Sequence, residues 1–299
     1  MPVTNIEFDK LRIREAPVFA NINLLGKCNV DCYFCLGKDI DGVFGKHNNL
    51  NMHFSEWNNF DKFLDESEKA GIKRIYLTGQ NTDALVYKYG LELQSYIQSK
   101  GFDFGIRTNG YLLTKTEKMD MAQKCRRNVG VSIHSLDSRT NDIIMKRPDI
   151  PNWEKILPQI PNLRISMVLN RYNEDEFDDL IKFFARFDNV KYVQIRRICT
   201  DTREEYLIED VNAYERVFNR IKEEKGDPDA YFYAAEVYNL YGKECCFWRT
   251  VKTTIGSYNY YTDGTINKGY FVIEGYSQEM GNDDADPLRN EKLEGYWRK

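Results

Sequence analysis

The chain has 299 residues, of which 14% are aromatic and 29% are charged, and its formal net charge is -4. This composition is typical of a globular protein with a large core, and the weak negative charge argues against bulk binding of nucleic acid. No apolar run is long enough to span a membrane, and residues 1–17 lack the apolar core of a signal peptide, so we expect a cytoplasmic protein.

Short runs rich in β-branched and aromatic residues alternate with longer amphipathic stretches over the first 200 residues. In chain order we predict strand Phe19–Leu25, helix Ser55–Ala70, strand Arg74–Thr78, helix Asp83–Ser99, strand Asp103–Thr108, helix Thr114–Arg126, strand Val129–Ser135, helices Asp137–Lys146 and Pro151–Gln159, strand Arg164–Asn170, helix Glu174–Phe187 and strand Lys191–Ile198. A dozen or more residues between successive strands favour crossover connections. The pattern therefore predicts an α/β fold with a parallel sheet.

The C-terminal third has a different pattern. A helix is predicted at Val211–Glu224, and Asp263-Gly264 predicts the turn of a hairpin within Thr253–Ile273. Residues after about Gln278 are polar and acidic, as in a surface tail. No domain boundary stands out, so we expect one domain at residues 1–205 with a C-terminal extension at 206–299 that packs on it.

Three cysteines follow directly after the first predicted strand. Cys28, Cys32 and Cys35 have the spacing C-x3-C-x2-C, so three thiolates within eight residues can hold one metal ion or cluster. A cubane cluster with three protein thiolates keeps one iron open for another ligand. A structural zinc site is the alternative, with His47 or His53 as the fourth ligand.

The triad and four later segments together resemble the radical SAM superfamily. Phe34 stands at the aromatic position of that family's cluster motif, C-x3-C-x-aromatic-C. The other matching segments, each at the end of a predicted strand, are Tyr76–Asn81, Arg107–Gly110, Val131–Asp137 and Ile165–Asn170. The resemblance covers about residues 15–200 and implies a partial (β/α)6 TIM-like barrel with a C-terminal α/β extension.

By this resemblance, Cys28, Cys32 and Cys35 ligate a [4Fe-4S] cluster, and the amino and carboxylate groups of S-adenosylmethionine chelate its fourth iron. An external donor of the flavodoxin or ferredoxin type supplies the electron for cleavage to a 5'-deoxyadenosyl radical. The implied cofactor-binding residues are Phe34, Gly79, Gln80, Asn81, Thr108, Asn109, Ser132, His134, Leu169 and Asn170. Gly79-Gln80-Asn81 departs from the usual Gly-Gly-Glu, so we expect Gln80 or Asn81 carbonyls to replace the missing acceptor.

Polar residues also recur at alternate positions of the predicted strands. A buried polar group without a partner costs about 1–3 kcal/mol, so a polar ligand is expected against that face. The predicted substrate-binding residues are Asn21, Asn23, Arg107, Gln194 and Arg196, and the predicted catalytic residues are Arg196, His134 and Cys199. Arginine suits this role because its guanidinium binds a carboxylate or phosphate through two parallel hydrogen bonds.

The leading functional hypothesis is a radical SAM enzyme that acts on a small polar molecule and not on a membrane component. Chain size, an aromatic C-terminal region and the arginines favour a 7-deazaguanine nucleoside, as in lyase or salvage enzymes similar to queuine lyase. Modification of a ribosomally made peptide or of a sugar is the alternative within the family. A non-catalytic iron–sulfur or zinc-binding protein is the alternative outside it.

Overall fold

The computed structural model describes residues 19–35, 37, 47–198, 204–232, 235–248 and 257–267. Within these ranges the strands are β1 Phe19–Leu24, β2 Arg74–Gly79, β3 Asp103–Thr108, β4 Val129–Ser132, β5 Leu163–Val168, β6 Val190–Arg196, β7 Ala230–Phe232, β8 Ala235–Leu240, β9 Lys243–Trp248, β10 Ser257–Tyr261 and β11 Ile266–Asn267. They form one sheet of 11 strands in the order β11-β10-β1-β2-β3-β4-β5-β6-β9-β8-β7.

The helices of the described residues lie mainly between these strands. They are α1 Phe60–Lys69, α2 Gly90–Ser99, α3 Thr116–Gln123, α4 Ser138–Met145, α5 Trp153–Ile156, α6 Phe177–Ala185 and α7 Glu204–Lys225. Single 3-10 turns lie at Phe54–Glu56, Ala84–Val86, Tyr111–Thr114 and Leu157–Gln159. Helix α1 shows why these segments are helical, since its buried residues Phe60, Phe63, Leu64 and Ser67 recur at helical spacing along one stripe.

Strands β1 to β6 pair in parallel, each with the next one along the chain. This arrangement confirms the predicted α/β fold with six strands and crossover helices. Alternate residues of each strand, such as Ile22, Ile106 and Ile165, are wholly buried in one hydrophobic core beneath the helices. The opposite face of the same strands, called the inner face below, therefore carries Arg107, Gln194 and the other polar residues at alternate positions.

Several predicted boundaries were wrong because local hydrogen bonds override the hydrophobic pattern. The predicted helix Ser55–Ala70 is divided, since Asn59 has a left-handed φ of 60° before α1 begins. Strand β4 ends at Ser132 and not at Ser135. The Ser135 hydroxyl accepts a hydrogen bond from the Asp137 amide at 2.9 Å, which turns the chain toward α4.

The C-terminal region extends the sheet at both edges. Strand β10 pairs in parallel with β1, and β9 pairs in parallel with β6. The predicted turn is present, because β10 and β11 are antiparallel and Gly264 has a φ of +96°. Residues 253–256 and 268–273 of the predicted hairpin, and the predicted tail, lie outside the described residues. Strands from both sides of the predicted boundary at residue 205 thus belong to one sheet.

No helix in the described part of the chain is long and apolar enough to cross a membrane.

Candidate functional site

The cysteine loop, residues 28–35, follows β1 and is fixed to the end of α4. The backbone amides of Asp31 and Tyr33 donate to the carbonyls of Met145 and Ile144, both at 3.1 Å. These carbonyls lie in the last turn of a helix, where intrahelical donors run out. The loop amides therefore pair with the last carbonyls of α4, and these hydrogen bonds hold the loop in place.

One side of this loop is also packed against apolar residues. Cys32, Tyr33 and Phe34 contact a small buried cluster of Tyr111, Ile144 and Met145. The Phe34 ring meets His134 edge-to-face with their centroids 5.2 Å apart. The aromatic residue of the motif thus connects the cysteine loop to the end of β4.

The three cysteines form no disulfide with another described residue, and all three are half-buried. Burial raises the pKa of the Cys28 thiol to about 11, and the nearby Asp83 and Cys35 act in the same direction. The Asn109 amide lies 3.8 Å from the Cys28 sulfur. A sulfur-only donor set on one fixed loop fits an iron–sulfur cluster, in which each thiolate binds a different iron.

The zinc alternative fits less well. No three His, Cys, Asp or Glu side chains among the described residues are grouped so that they could hold one metal ion, as a tetrahedral zinc site requires. His53 is also engaged elsewhere, with Nε2 at 3.4 Å from Glu92 and Nδ1 at 2.7 Å from the Ser55 hydroxyl.

The turn after β2 supports the N-terminal end of the cysteine loop. Asn81 accepts a hydrogen bond from the Gly26 amide at 3.0 Å, and the Thr82 hydroxyl donates to the Lys27 carbonyl at 2.9 Å. A Cβ atom at Gly79 would lie 1.9 Å from the Thr82 carbonyl oxygen, so this turn requires glycine. The departure Gly79-Gln80-Asn81 therefore gives Asn81 a side-chain role in holding the loop.

Asp83 is a buried residue that sequence reasoning treated only as the start of a helix. Its carboxylate accepts hydrogen bonds from the amides of Leu85 and Asn109 and from the Thr108 hydroxyl. Burial raises the pKa of this carboxyl, while those donors lower it, and the net direction is upward. The only indication in the sequence is that Asp83 directly precedes the helical turn Ala84–Val86, a position where Asp is a preferred N-cap.

Asn109, whose backbone amide bonds Asp83, connects the end of β3 to the cysteine loop. The Asn109 side chain donates to Asn29 Oδ1 at 2.7 Å and accepts from the Tyr111 amide at 3.2 Å. The predicted residue Thr108 directs its hydroxyl to Asp83 and not to the inner face, because alternation places it beside Ile106 on the helix side. Asn109 is thus the member of this pair that reaches the cysteines.

Two predicted cofactor-binding residues on the β5 side are otherwise occupied. Leu169 is wholly buried in the core beneath the helices, since it alternates with Val168 and Asn170. The Asn170 side chain closes the following turn by donating to the Val168 carbonyl and accepting from the Tyr172 amide. Any contact of Leu169 with a ligand on the inner face therefore goes through its backbone.

His134 is buried and neutral. Its Nδ1 accepts a hydrogen bond from the Val168 amide at 3.1 Å, which assigns the proton to Nε2. Burial lowers the pKa of the imidazole from 6.5 to about 4. At neutral pH this ring is a hydrogen-bond donor through Nε2 and carries no charge.

The predicted substrate-binding asparagines contact the C-terminal strand. Asn21 donates to Asn259 Oδ1 at 2.9 Å, and Asn23 donates to the Tyr260 carbonyl at 3.2 Å. These bonds tie β10 to β1. A role of Asn21 and Asn23 in substrate binding stays a prediction.

The predicted residues of β3 and β6 lie on the inner face. Arg107 donates to Asn128 Oδ1 at 2.7 Å, and its guanidinium lies 3.9 Å above the Tyr76 ring. Arg196 is half-buried, 6.0 Å from the Trp248 ring, and Gln194 is 3% exposed. Ser132 is half-buried and pairs in register with Ser166. Cys199 lies outside the described residues.

Comparison with known proteins identifies the family. Residues 22–184, more than half of the chain, match the family model of the radical SAM superfamily. The relatives include GTP 3',8-cyclase of Trichodesmium erythraeum, 27% identical over 143 residues that cover 46% of this chain and 41% of that protein. GTP 3',8-cyclase of Clostridium perfringens (strain SM101 / Type A) is 27% identical over 173 residues, which cover 54% of this chain and 50% of that protein. The chain thus matches about half the length of these curated relatives or less.

Solved structures agree on the fold. Streptococcus suis SuiB bound to S-adenosylmethionine has a TM-score of 0.61 at 14% sequence identity, over 98% of this chain and 70% of that one. The sheet is accordingly the partial barrel that the resemblance implied. The chain belongs to the radical SAM superfamily and is an enzyme of the kind that uses a [4Fe-4S] cluster and S-adenosylmethionine.

Proposed function

We propose that Cys28, Cys32 and Cys35 hold the cluster and that the remaining iron binds S-adenosylmethionine. The observation that carries this proposal is the set of three cysteines on one loop, which is fixed by α4 on one side and by the turn after β2 on the other. When bound, the cluster supplies the electron for cleavage of the sulfonium C–S bond, and the resulting 5'-deoxyadenosyl radical removes a hydrogen atom from the substrate.

The chain's own residues position the cofactor and exclude water. Asn109, held by Asp83, keeps the first cysteine of the loop in place. Phe34 packs against the ring of the buried His134, so Nε2 is a neutral hydrogen-bond donor. A dry site also protects a reactive radical from side reactions.

For the substrate we propose a purine-type nucleoside or nucleotide. Two features support this class: the polar inner face with Arg107, Gln194 and Arg196, and the sequence relatives whose name includes GTP. A 7-deazaguanine nucleoside, the substrate favoured by the sequence, belongs to the same class. Lyase chemistry, a flavodoxin or ferredoxin donor and a cytoplasmic location are further parts of the proposal.

One anaerobic assay tests this function. Protein reconstituted with iron and sulfide is reduced with dithionite and given S-adenosylmethionine, and 5'-deoxyadenosine is quantified with guanosine, GTP, queuosine, a sugar phosphate or a peptide library added. We expect a purine compound to stimulate 5'-deoxyadenosine formation. When that compound is labelled with deuterium, we expect the deuterium to appear in 5'-deoxyadenosine. Absence of 5'-deoxyadenosine would contradict the cofactor assignment, whereas stimulation by peptides alone would contradict the substrate class.

A further inference from the structure

The inner face contains a buried cation that the mechanism above does not use. Arg164 of β5 is only 9% exposed, and its Nε atom is buried without a hydrogen-bond partner. Among the described residues, no carboxylate forms an ion pair with this guanidinium. Burial of a charge without a partner is costly, so such a position is favoured only when an anion completes it.

Gly130 makes the space in which this arginine lies. It pairs in register with Arg107 on β3 and with Arg164 on β5. A Cβ atom at Gly130 would lie 2.7 Å from Arg164 Nη2 and 2.8 Å from Arg107 Cδ. The glycine thus allows two arginine side chains to approach each other on the inner face, although their like charges repel.

The two arginines differ in how they are held. Arg107 is anchored by Nη1 to Asn128 and by stacking on Tyr76. Arg164 has Tyr192 as its neighbour in register on β6 and has no such polar anchor within the described residues. Arg107 therefore provides a fixed positive potential, and Arg164 has hydrogen-bond donors left for a ligand.

We propose that Arg164, beside Arg107, binds an anionic oxygen group of the substrate, either a phosphate or a carboxylate. The proposal deepens the function given above and rests on it for the identity of the ligand as substrate. A guanidinium recognises both groups through paired N–H···O hydrogen bonds. Gln194, 3% exposed with Oε1 unpartnered, lies further along the same wall beside Ser166 and contacts the middle of such a substrate.

The position of Arg164 also sets a length for the substrate. Arg164 precedes Val168 by four residues of β5, which corresponds to roughly 13 Å at about 3.3 Å per residue. Val168 marks the cofactor end, because its amide donates to His134. A molecule that places an anion at Arg164 and its reacting C–H bond near His134 is therefore elongated, which favours a nucleotide over a nucleoside.

Isothermal titration of the reconstituted enzyme, with S-adenosylmethionine present, tests the proposal with pyrophosphate and citrate as probes. We expect one of the two anions to bind the wild-type enzyme. Its dissociation constant should be at least tenfold higher for R164Q and should have an intermediate value for R164K. Binding of pyrophosphate identifies a phosphate site and binding of citrate a carboxylate site. The exposed Arg139, substituted in R139Q, is the matched control and is expected to leave the constant unchanged.

A second variant keeps the test valid if R164Q fails to fold. In G130A the added methyl group displaces both arginines, and at least tenfold weaker anion binding is again expected. Failure of both anions to bind wild-type enzyme, or equal binding by R164Q or G130A, overturns the proposal. Anion binding that depends on Arg164 in an enzyme that forms no 5'-deoxyadenosine would instead contradict the proposed function and leave this site standing.

Discussion

The cofactor end and the part of the inner face around Arg164 and Gln194 differ in whether their polar groups have partners. At the cofactor end, Asn109 bonds both Asp83 and Asn29 of the cysteine loop. Asn81, in the turn after β2, bonds the Gly26 amide just before that loop. On the inner face, Arg164 and Gln194 are buried with polar atoms that have no partner in the described residues. In the first region the hydrogen bonds of Asp83 and Asn109 are formed before any ligand binds, although Asn29 Nδ2 has no partner among the described residues, whereas the second region has its recognition groups ready for a ligand.

This difference separates the common part of the chemistry from the specific part. Radical generation needs a fixed geometry, because the cofactor must be placed next to the substrate before the radical forms. Substrate choice needs hydrogen-bond donors and acceptors that only the correct ligand pairs. A wrong ligand leaves these buried groups without partners and is therefore bound more weakly. The following predictions test the two regions against each other, beginning with the largest effect.

Removal of one thiol is expected to abolish the function of the cofactor end. C32A should lose the cluster, measured as bound iron and sulfide, and should form no detectable 5'-deoxyadenosine. C125A is the matched control, because that half-buried thiol lies against Gln94 and the Met121 carbonyl, away from the loop. Retained cleavage in C32A, or loss of the cluster in C125A, would refute the ligand assignment.

Loss of the Asp83 carboxylate should destabilise the scaffold by about 3–5 kcal/mol, since D83A leaves buried donors of Thr108, Asn109 and Leu85 without an acceptor. Urea denaturation measures the change in the free energy of unfolding. D83N keeps the shape and one acceptor oxygen, so we expect a smaller loss. A D83A protein as stable as wild type would show that the hydrogen bonds around Asp83 do not hold this end together.

The neutral state of His134 predicts a pH dependence. Its folded pKa of about 4 lies below the ordinary 6.5, so the unfolded chain binds a proton more readily between these values. The stabilisation is therefore complete above pH 6.5 and is lost as the pH falls toward 4, by up to about 3 kcal/mol.

Urea denaturation of wild type and H134N at pH 7.5, 6, 5 and 4.5 isolates this effect, because the other titrating groups are common to both proteins. The free energy of unfolding of wild type should fall more steeply than that of H134N. Parallel curves would mean that His134 is charged or exposed in the folded protein.

The smallest effect concerns the far side of the cysteine loop. Tyr33 donates to Asp210 of α7 at 2.8 Å, and the Asp210 carboxylate also accepts from the Arg171 amide at 3.1 Å. Y33F should therefore lower the free energy of unfolding by about 1 kcal/mol. Y241F is the control, since Tyr241 is 51% exposed and its hydroxyl bonds Asp178 at the surface. Equal losses in the two variants would argue that Asp210 does not hold the loop.

The strand pattern and the cysteine triad were predictable from sequence because both depend on short-range order. Strand β3 was predicted at Asp103–Thr108 and is found there, since Phe104, Ile106 and Thr108 follow the period of two on its core-facing side. The spacing of Cys28, Cys32 and Cys35 is likewise a local property of one loop. Boundaries such as the end of β4 were missed where a side chain, here Ser135, bonds the backbone and diverts it.

Asp83 and Arg164 show why the rest of the site was not predictable in the same way. Asp83 reads as an ordinary helix N-cap, and its contact with Asn109 joins residues 26 positions apart. Arg164 reads as the first residue of a predicted strand, and neither its burial nor its approach to Gly130 has a local signal. Both roles arise from the pairing of β2 to β5 in register, which brings distant residues to one level of the sheet.

The sequence by itself determined the family, the parallel α/β fold and the loop that carries three thiols, because periodicity and motif spacing are encoded in neighbouring residues. Only the tertiary structure decided that β9 and β10 extend the sheet at both edges and that Asn21 and Asn23 bond β10. It also decided that Arg164 is buried on the inner face with its Nε atom unpaired among the residues the structure describes. The reason is physical: a hydrogen-bond partner, or the lack of one, is a property of space that chain order alone does not specify.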